Sequence, residues 1–368
     1  MEAKCGSSDP RLPHQGLIYK GDIYKMEEMM RDMYVVVTDY VQPNTGEDVS
    51  DALQELILSN PQRTIFFPDG EYLLSKPICT PANPAHAVSF KLATFAKLKA
   101  MDSWTEKEAV VRIGAAEPFN TIYVPGSNYY FEGGIIDGNG KANGISIDSG
   151  RETSIHHVSI KNTEIGIHIK WGANNRSSDA DVFNVNIVGN HSKTSVGVLL
   201  EGHDNTLTNM RIAGVHVGIQ ADSGGNIFRN LHPLYTYGGD LAQDENYLTS
   251  IAFMDRWNDN YYDICYSDQF CTAFSMQSSS RNIYTNSYIM WYTSRGGVET
   301  AFKVDGRFNS VVRTPRINFH NDTVNALLTV TEDSGSGIIE NPMINHEEYI
   351  TDKTYKEYLT GIVITPKK

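Results

Sequence analysis

The 368-residue sequence is poor in cysteine, in long apolar runs and in basic residues. Four cysteines are too few for a disulfide scaffold, and none stands in the Cys-x-x-Cys spacing of a zinc or redox site. No stretch approaches the roughly 18 apolar residues of a membrane-spanning helix. Thirty-one basic against 44 acidic residues leave a net charge of -13, which disfavours nucleic acid or an anionic membrane surface as a partner.

The N-terminus has no apolar segment in its first residues, so an intact signal peptide is not predicted. Cys5, followed by Gly-Ser-Ser, is compatible with the lipidated first residue of a lipoprotein whose signal has been removed. Cys79, Cys265 and Cys271 are interpreted as structural thiols.

What the sequence does contain is a repeat. A five-residue phrase, small-apolar-x-apolar-polar, alternates with period two, which is typical of half-buried strands. The shortest intervals between phrases are 21 and 22 residues, and longer intervals are interpreted as one coil plus an inserted loop. The sequence therefore predicts a β-solenoid. The phrases begin at Gly144, Gly166, Gly197, Gly218, Ala273 and Ala301.

A second phrase follows these strands and carries polar residues four positions apart. In coils stacked about 4.8 Å apart, such columns form ladders in which side-chain amides bond to one another. We expect Asp259 and Asp263 to be ladder members rather than catalysts. The asparagines assigned to the two columns are Asn205, Asn209, Asn226, Asn230, Asn282 and Asn286.

Three segments carry a family resemblance: Asp48-Val-Ser-Asp-Ala-Leu-Gln, Ile65-Phe-Phe-Pro-Asp-Gly-Glu-Tyr-Leu-Leu, and Gly134-Ile-Ile-Asp-Gly-Asn-Gly. With the strand phrases they resemble the pectate-lyase-like (pectin-lyase superfamily) proteins over roughly residues 45–340. The resemblance implies an all-β fold, a single-stranded right-handed parallel β-helix with an N-terminal capping helix. It also implies action on polysaccharide and a secreted or extracytoplasmic location, because members include pectate lyases, polygalacturonases, other glycosidases, epimerases and phage tailspikes.

The predicted domain organisation is simple. A solenoid must cover its first coil, and residues 48–60 read as an amphipathic capping helix. No linker interrupts the chain after it, so we predict an irregular segment at 1–45 and one parallel β-helix domain at 46–368. No catalytic motif of the resembled family is found, and catalytic residues are therefore predicted from coil geometry alone.

Candidate catalytic groups occupy the fifth position of the strand phrases, which carries Asp148, Lys170, Glu201 and Asp222 in chain order. Carboxyl groups in neighbouring coils, as expected for Glu201 and Asp222, would lie about 5 Å apart, the spacing of a retaining glycosidase pair. Asp148, two coils from Glu201, is a further acid or base candidate at about 10 Å, near the upper end of the inverting range. The alternative interpretation is that these carboxylates are solvated strand ends.

Substrate-binding groups are expected on and beside three insertions, at 171–180, 232–249 and 290–299, which would wall a groove over these strands. Aromatic rings there could stack on sugars or pack the loops down. Asp179 and Asp181 could hold calcium with the help of carbonyl groups, but two carboxylates are too few to claim a site, so no cofactor is predicted. The predicted substrate-binding residues are His168, Lys170, Trp171, Arg176, His232, Tyr235, Trp291 and Lys303.

The leading functional hypothesis is a glycoside hydrolase that cleaves an oligo- or polysaccharide with a pair of carboxyl groups. A polysaccharide lyase is the alternative, because β-elimination needs a base beside a charge neutraliser and His168, Lys170, Arg176 and Lys303 are available. An acidic groove would repel polyuronate, which ranks the lyase second. A non-catalytic glycan-binding or tailspike-like protein is the third hypothesis. The chain is expected to be a monomer or a homo-oligomer, with a trimer favoured under this third hypothesis.

Overall fold

The structure is a computed structural model, in which two helices precede stacked coils of short β-strands. Neither of the two described helices is long and apolar enough to span a membrane. The described residues are 20–117, 119, 129–172, 176–235, 246–277, 280–292, 299–319, 326–332, 335–345, 358–361 and 363–364.

One parallel sheet, named row 1, takes a single strand from each of ten successive coils. Its order along the sheet follows the order along the chain, as expected when every coil adds one strand to a growing stack. The strands, numbered in chain order, are β4 (Ile78–Pro81), β7 (Ala109–Ala116), β10 (Asn143–Ile147), β14 (Ile165–Ile169), β18 (Val196–Leu200), β20 (Val217–Ala221), β22 (Ile251–Asp255), β25 (Thr272–Gln277), β28 (Thr300–Asp305) and β31 (Ala326–Val330).

The second large sheet is divided lengthwise into rows 2 and 3, and its strand pairs are parallel throughout. Two strands, β19 (Thr206–Ala213) and β21 (Ile227–Leu234), run through both rows. Row 2 also contains β1 (Val35–Val36), β2 (Thr64–Phe67), β5 (Ser89–Leu92), β8 (Tyr130–Glu132), β12 (Ser154–His156), β16 (Asp181–Phe183), β23 (Tyr261–Asp263), β26 (Ile283–Thr285), β29 (Val311–Arg313), β32 (Ile338–Glu340) and β34 (Leu359–Thr360).

Row 3 completes a three-sided coil. Besides the shared strands β19 and β21, it contains β3 (Gly70–Leu74), β6 (Ala96–Ala100), β9 (Ile135–Asp137), β13 (Ser159–Thr163), β17 (Asn186–Gly189), β24 (Tyr266–Asp268), β27 (Tyr288–Met290), β30 (Arg316–Asn318), β33 (Met343–Ile344) and β35 (Val363–Ile364). A separate two-stranded sheet, β11 (Gly150–Arg151) with β15 (Ser177–Ser178), lies in the turns that follow row 1.

In the coils from β12 to β33, the bend between rows 2 and 3 is made by one residue in the left-handed conformation. Asn209 and Asn230 make it inside β19 and β21, with φ of 55° and 52°. Asparagine tolerates this conformation better than other residues with a side chain, which explains its recurrence here. The same position is taken in other coils by His157, Asn184, Ile264, Asn286, Thr314 and Asn341.

The core lies between the three rows and is a set of side-chain columns. The inward column of row 1 is aliphatic in the N-terminal coils and aromatic from Phe253 to Phe302, and Phe253 and Phe274 stack with ring centroids 4.7 Å apart. Burial of these columns supplies the hydrophobic stabilisation of the solenoid. The column contains Ile145, Ile167, Val198, Ile219, Phe253, Phe274 and Phe302.

The predicted capping helix is present as α2 (Ser50–Ser59), which buries Leu53, Leu56 and Ile57. The segment predicted to be irregular contains a further helix, α1 (Lys20–Met33), and strand β1, which pairs with β2 of the first coil. The all-β class and the single-stranded right-handed parallel β-helix with its N-terminal capping helix are confirmed.

The predicted asparagine ladder is present, with two corrections. Asn205 Nδ2 donates to Asn226 Oδ1 at 2.9 Å, and Asn226 Nδ2 donates to Asn260 Oδ1 at 3.0 Å, all three side chains being buried. Asn260 therefore takes the place that had been assigned to Asp259. Asp263 likewise precedes the bend residue Ile264 instead of occupying its position.

Candidate functional site

The fifth-position side chains follow the strands of row 1. β10, β14, β18 and β20 are consecutive strands of this row and pair in register up to their last residues. The residues that come next are Asp148, Lys170, Glu201 and Asp222. Glu201 and Asp222 thus lie in adjacent coils, about 4.8 Å apart along the stack. The coil of Lys170 separates Asp148 from Glu201.

Asp148 is a buried carboxylate held by two cations. Its Oδ2 accepts from Arg112 Nη2 at 2.6 Å and from Lys170 Nζ at 3.1 Å, and Oδ1 accepts from the Ser146 hydroxyl. Burial raises the pKa of Asp148, but these hydrogen bonds and charges outweigh burial and leave the pKa below its usual value. Lys170 also bonds Glu108 at 3.1 Å, so its charge is engaged within the protein.

Glu201 is more open. Its side chain is 42% exposed, and its Oε2 lies 3.0 Å from His168 Nε2 and 3.5 Å from the backbone N–H of Trp171. Burial lowers the pKa of His168 in spite of the neighbouring carboxyl group, so the imidazole is neutral at pH 7. A neutral imidazole protonated on Nε2 donates to Glu201 and fixes the orientation of its carboxyl group.

Asp222 is held by polar contacts on only one of its two carboxylate oxygens among the described residues. Its Oδ2 accepts from Gln220 Nε2 at 2.8 Å and lies 3.6 Å from Arg256 Nη1. Its Oδ1 is buried and has no hydrogen-bond partner among the described residues. Arg256 follows β22, the next strand of row 1, so Asp222 stands between Glu201 and a cation in the stack.

Three rings run beside the carboxyl groups and are named the aromatic strip: Trp171, His203 and Trp257. Trp171 and His203 meet edge to face at 4.9 Å, and His203 and Trp257 at 6.3 Å. The guanidinium of Arg176 lies 5.1 Å from the Trp171 ring centroid. Trp257 is 50% exposed and lies over Gly224, where an added Cβ would come within 2.7 Å of its ring.

Two rings predicted to bind substrate are buried. Tyr235 packs edge to face against Tyr247 and Phe270. Trp291 stacks on Phe319 at 5.1 Å and donates from Nε1 to the carbonyl oxygen of Phe270 at 2.6 Å. Tyr235 and Trp291 are therefore core residues, which corrects the expectation that they wall a groove.

His232 and Lys303 lie away from the carboxyl pair. His232 belongs to the row 3 half of β21 and stacks on Tyr266. Lys303 is exposed on β28 of row 1, three strands beyond β20. Most of the loops 232–249 and 290–299, and residues 173–175 of the first loop, are outside the described residues, as is Cys5.

The acidic pair suggested for calcium is divided between two environments. Asp179 accepts from Arg151 Nε at 2.9 Å and from the Ser178 hydroxyl at 2.8 Å. Asp181 lies on β16 of row 2, and burial raises its pKa. Within the described ranges, no group of three or more His, Cys, Asp or Glu side chains is placed to hold a metal ion.

Sequence reasoning missed Arg256 and Trp257. They follow β22, whose last residue is Asp255, whereas the strand phrase requires an apolar residue at that position. The phrase is broken there, although its start at Ala252-Phe253 keeps the small-apolar pattern that marks a coil.

No protein-family model and no curated protein matches the chain. Among solved structures, the tailspike protein of E. coli bacteriophage HK620 in complex with a pentasaccharide is similar, with a TM-score of 0.68 and 10% identity over 92% of this chain and 65% of that chain. Pre-mature gene product 12 of bacteriophage phi29 is also similar, with a TM-score of 0.55 and 12% identity over 89% of this chain and 51% of that chain. The chain thus spans just under two thirds of the tailspike and about half of the phi29 protein. These similarities show a shared fold.

Proposed function

We propose that this chain is a carbohydrate-active protein that cleaves an oligo- or polysaccharide by hydrolysis, with Glu201 and Asp222 as its pair of carboxyl groups. The observation that carries the proposal is the direct pairing of β18 with β20, which puts the two residues in adjacent coils. The pentasaccharide bound by the HK620 tailspike, a protein of the same fold, supports a glycan as the ligand class.

The separation expected from adjacent coils favours a retaining mechanism. Coils about 4.8 Å apart match the roughly 5 to 5.5 Å between the carboxyl groups of retaining glycosidases and are too close for an inverting pair with its intervening water. In this mechanism one carboxylate bonds to the anomeric carbon while the other carboxyl group protonates the leaving oxygen. Water then displaces the sugar from the enzyme, and the second group removes the proton from that water.

The surroundings suggest which residue does which step. Asp222 is held on Oδ2 by Gln220 and Arg256, which suits a fixed nucleophile. Glu201 is the more exposed of the two, and its hydrogen-bond partners among the described residues are His168 and one backbone N–H, which suits a group that exchanges protons with leaving group and water. Asp148 serves as a buried anion that holds Arg112 and Lys170 in place.

The test is a pair of isosteric amides. Screening polysaccharides for new reducing ends identifies a substrate, after which Glu201→Gln and Asp222→Asn should each fold normally and lose cleavage by about 10²-fold or more. Asp305→Asn is the matched control, because Asp305 is an exposed fifth-position carboxyl group of row 1 three strands away. Full activity in both amide variants would refute the assignment. The anomeric configuration of the first product, followed by proton NMR, should be retained.

A polysaccharide lyase is the second candidate, because two further groups lie beside the carboxyl pair. His168 is a neutral imidazole next to Glu201, and the guanidinium of Arg256 lies 3.6 Å from Asp222. β-Elimination would use such a base near a charge neutraliser. The two candidates differ in product: elimination gives an unsaturated uronate that absorbs in the ultraviolet, and hydrolysis gives none. A product that absorbs, together with loss of cleavage in His168→Ala, would replace the hydrolase by the lyase.

A further inference from the structure

Row 3 presents a line of side chains that the proposed hydrolysis does not use. Strand pairing and ring stacking put Arg211, His232, Tyr266, Tyr288 and Arg316 next to one another along the solenoid. These five residues are named the row 3 line. With coils about 4.8 Å apart, the line is about 19 Å long, enough for several sugar units.

The rings of the row 3 line face one another. His232 and Tyr266 stack at 4.1 Å with planes 14° apart, and the centroids of Tyr266 and Tyr288 are 4.6 Å apart. Arg316 lies over the far face of this stack, 5.3 Å from the Tyr288 centroid. Because the ring faces cover one another, the line offers a ligand its ring edges and phenol hydroxyls. The Tyr292 hydroxyl lies 3.2 Å from that of Tyr266 and adds a third phenol to the group.

Two polar side chains beside the line are buried without full hydrogen bonding. Asp268, 6% exposed, has Oδ2 3.4 Å from His232 Nε2, while its Oδ1 has no partner among the described residues. Gln269 follows it, is 4% exposed, and lacks a partner for both amide atoms. Buried polar groups in proteins are nearly always bonded, so the polar network beside the line is incomplete among the described residues.

The ends of the line are cationic. Arg211 and Arg316 are both exposed, and within the described part of the chain neither forms an ion pair with a carboxylate. By contrast, two arginines of row 2 are paired with carboxylates: Arg229 on β21 with Asp263, and Arg313 on β29 with Glu340. In a protein of net charge -13, two unpaired guanidinium groups at the ends of one line select for an anionic partner.

We propose that the row 3 line is a binding surface for a carboxylate-bearing oligo- or polysaccharide. The two arginines bond ligand carboxylates, and the hydroxyls of Tyr266 and Tyr288 bond sugar hydroxyls between them. The line is on a different face of the solenoid from Glu201 and Asp222, so this binding does not depend on the hydrolysis proposed above.

The experiment measures binding by titration calorimetry, using the full chain carrying Glu201→Gln and Asp222→Asn so that no probe is cleaved. The probes are polygalacturonate, alginate and hyaluronan, with carboxyl-reduced polygalacturonate as the neutral control. Two double variants are made in this background: Arg211→Gln/Arg316→Gln and Tyr266→Phe/Tyr288→Phe. Their control is Arg313→Gln, which changes a matched exposed arginine outside the line. Trp257→Ala reports on the aromatic strip of row 1, and thermal melting checks that each variant is folded.

At least one acidic probe should bind, and the double arginine variant should bind it at least tenfold more weakly, with a reduced salt dependence. The double tyrosine variant should be weakened severalfold, whereas Arg313→Gln should match the background. The proposal is overturned if no acidic probe binds, if the neutral control binds as tightly, or if only Trp257→Ala reduces binding. None of these results depends on whether Glu201 and Asp222 catalyse cleavage.

Discussion

At the scale of single residues, the least expected side chain is Asp255. It is the last residue of β22 and occupies an inward position that its neighbours Ala221 and Met276 fill with apolar groups. Tyr262 donates to its Oδ2 at 2.7 Å and Asn260 donates to both oxygens, so the carboxyl group is bonded inside the core. Burial raises the pKa of Asp255 to about 6, although these hydrogen bonds lower it.

Asp255 should make stability depend on pH in an unusual direction. Its pKa in the folded protein lies above the 3.8 of the unfolded chain, so the folded state binds the proton more tightly. The stabilisation is complete below about pH 4 and is lost as pH rises through about 6. A shift of about 2 units corresponds to about 3 kcal/mol of unfolding free energy.

Denaturant unfolding at several pH values checks this expectation. From pH 4 to pH 7, the unfolding free energy of Asp255→Asn should rise by about 2 kcal/mol relative to that of the wild type, because the amide does not titrate. Asp259→Asn, an exposed carboxyl group in the following turn, is the control and should show no such trend. A constant difference between Asp255→Asn and the wild type over this range would contradict the account.

The carboxyl pair could be predicted from the sequence, but its neighbours after Asp255 could not. Glu201 and Asp222 could be assigned to one column because each follows an intact strand phrase. Asp255 breaks the phrase in the next coil, so Arg256 and Trp257 were not recognised as part of the same site. Whether a ring is exposed also depends on distant segments: Trp291 is buried by Phe319 of the following coil, which local sequence does not reveal.

At the scale of elements, the turns and bends are stabilised by two asparagine columns with different surroundings. In the first column, Asn226 Oδ1 accepts from the backbone N–H and the amide of Asn205, and the backbone N–H of Asn226 donates to Asn260. In the second column, Asn209 and Asn230 are exposed at the bend and share one bond of 2.7 Å. The pattern of polar residues four apart predicted both columns but not which one is buried.

Substitutions in the two columns should therefore differ in cost. Asn226→Leu leaves several buried donors and acceptors unpaired and should lower the unfolding free energy by about 3 to 5 kcal/mol. Asn230→Leu removes one exposed hydrogen bond and puts a residue that disfavours the left-handed conformation at the bend. It should lower the unfolding free energy by about 1 to 2 kcal/mol. Chemical denaturation of both variants gives the comparison. Equal costs would mean that the first column is not the buried ladder.

At the scale of the whole molecule, the chain is a solenoid whose three outward faces can carry separate chemistry. The periodic strand phrases predicted the coils because each coil repeats the same inward column. Helix α1 was not predicted, because its methionines Met26, Met29, Met30 and Met33 are exposed and mark no buried face. The chemistry of each face depends on which coils are neighbours, and this becomes visible only when the register of the strands is known.

The most direct measurement of the central claim is a crystal structure of the Glu201→Gln/Asp222→Asn protein with an uncleaved oligosaccharide. We expect sugar density across row 1, with one ring against Trp257 and a glycosidic oxygen within about 3 Å of the residue 201 side chain. A saccharide bound elsewhere on the solenoid, with row 1 free of sugar, would contradict the claim that Glu201 and Asp222 are the cleaving pair.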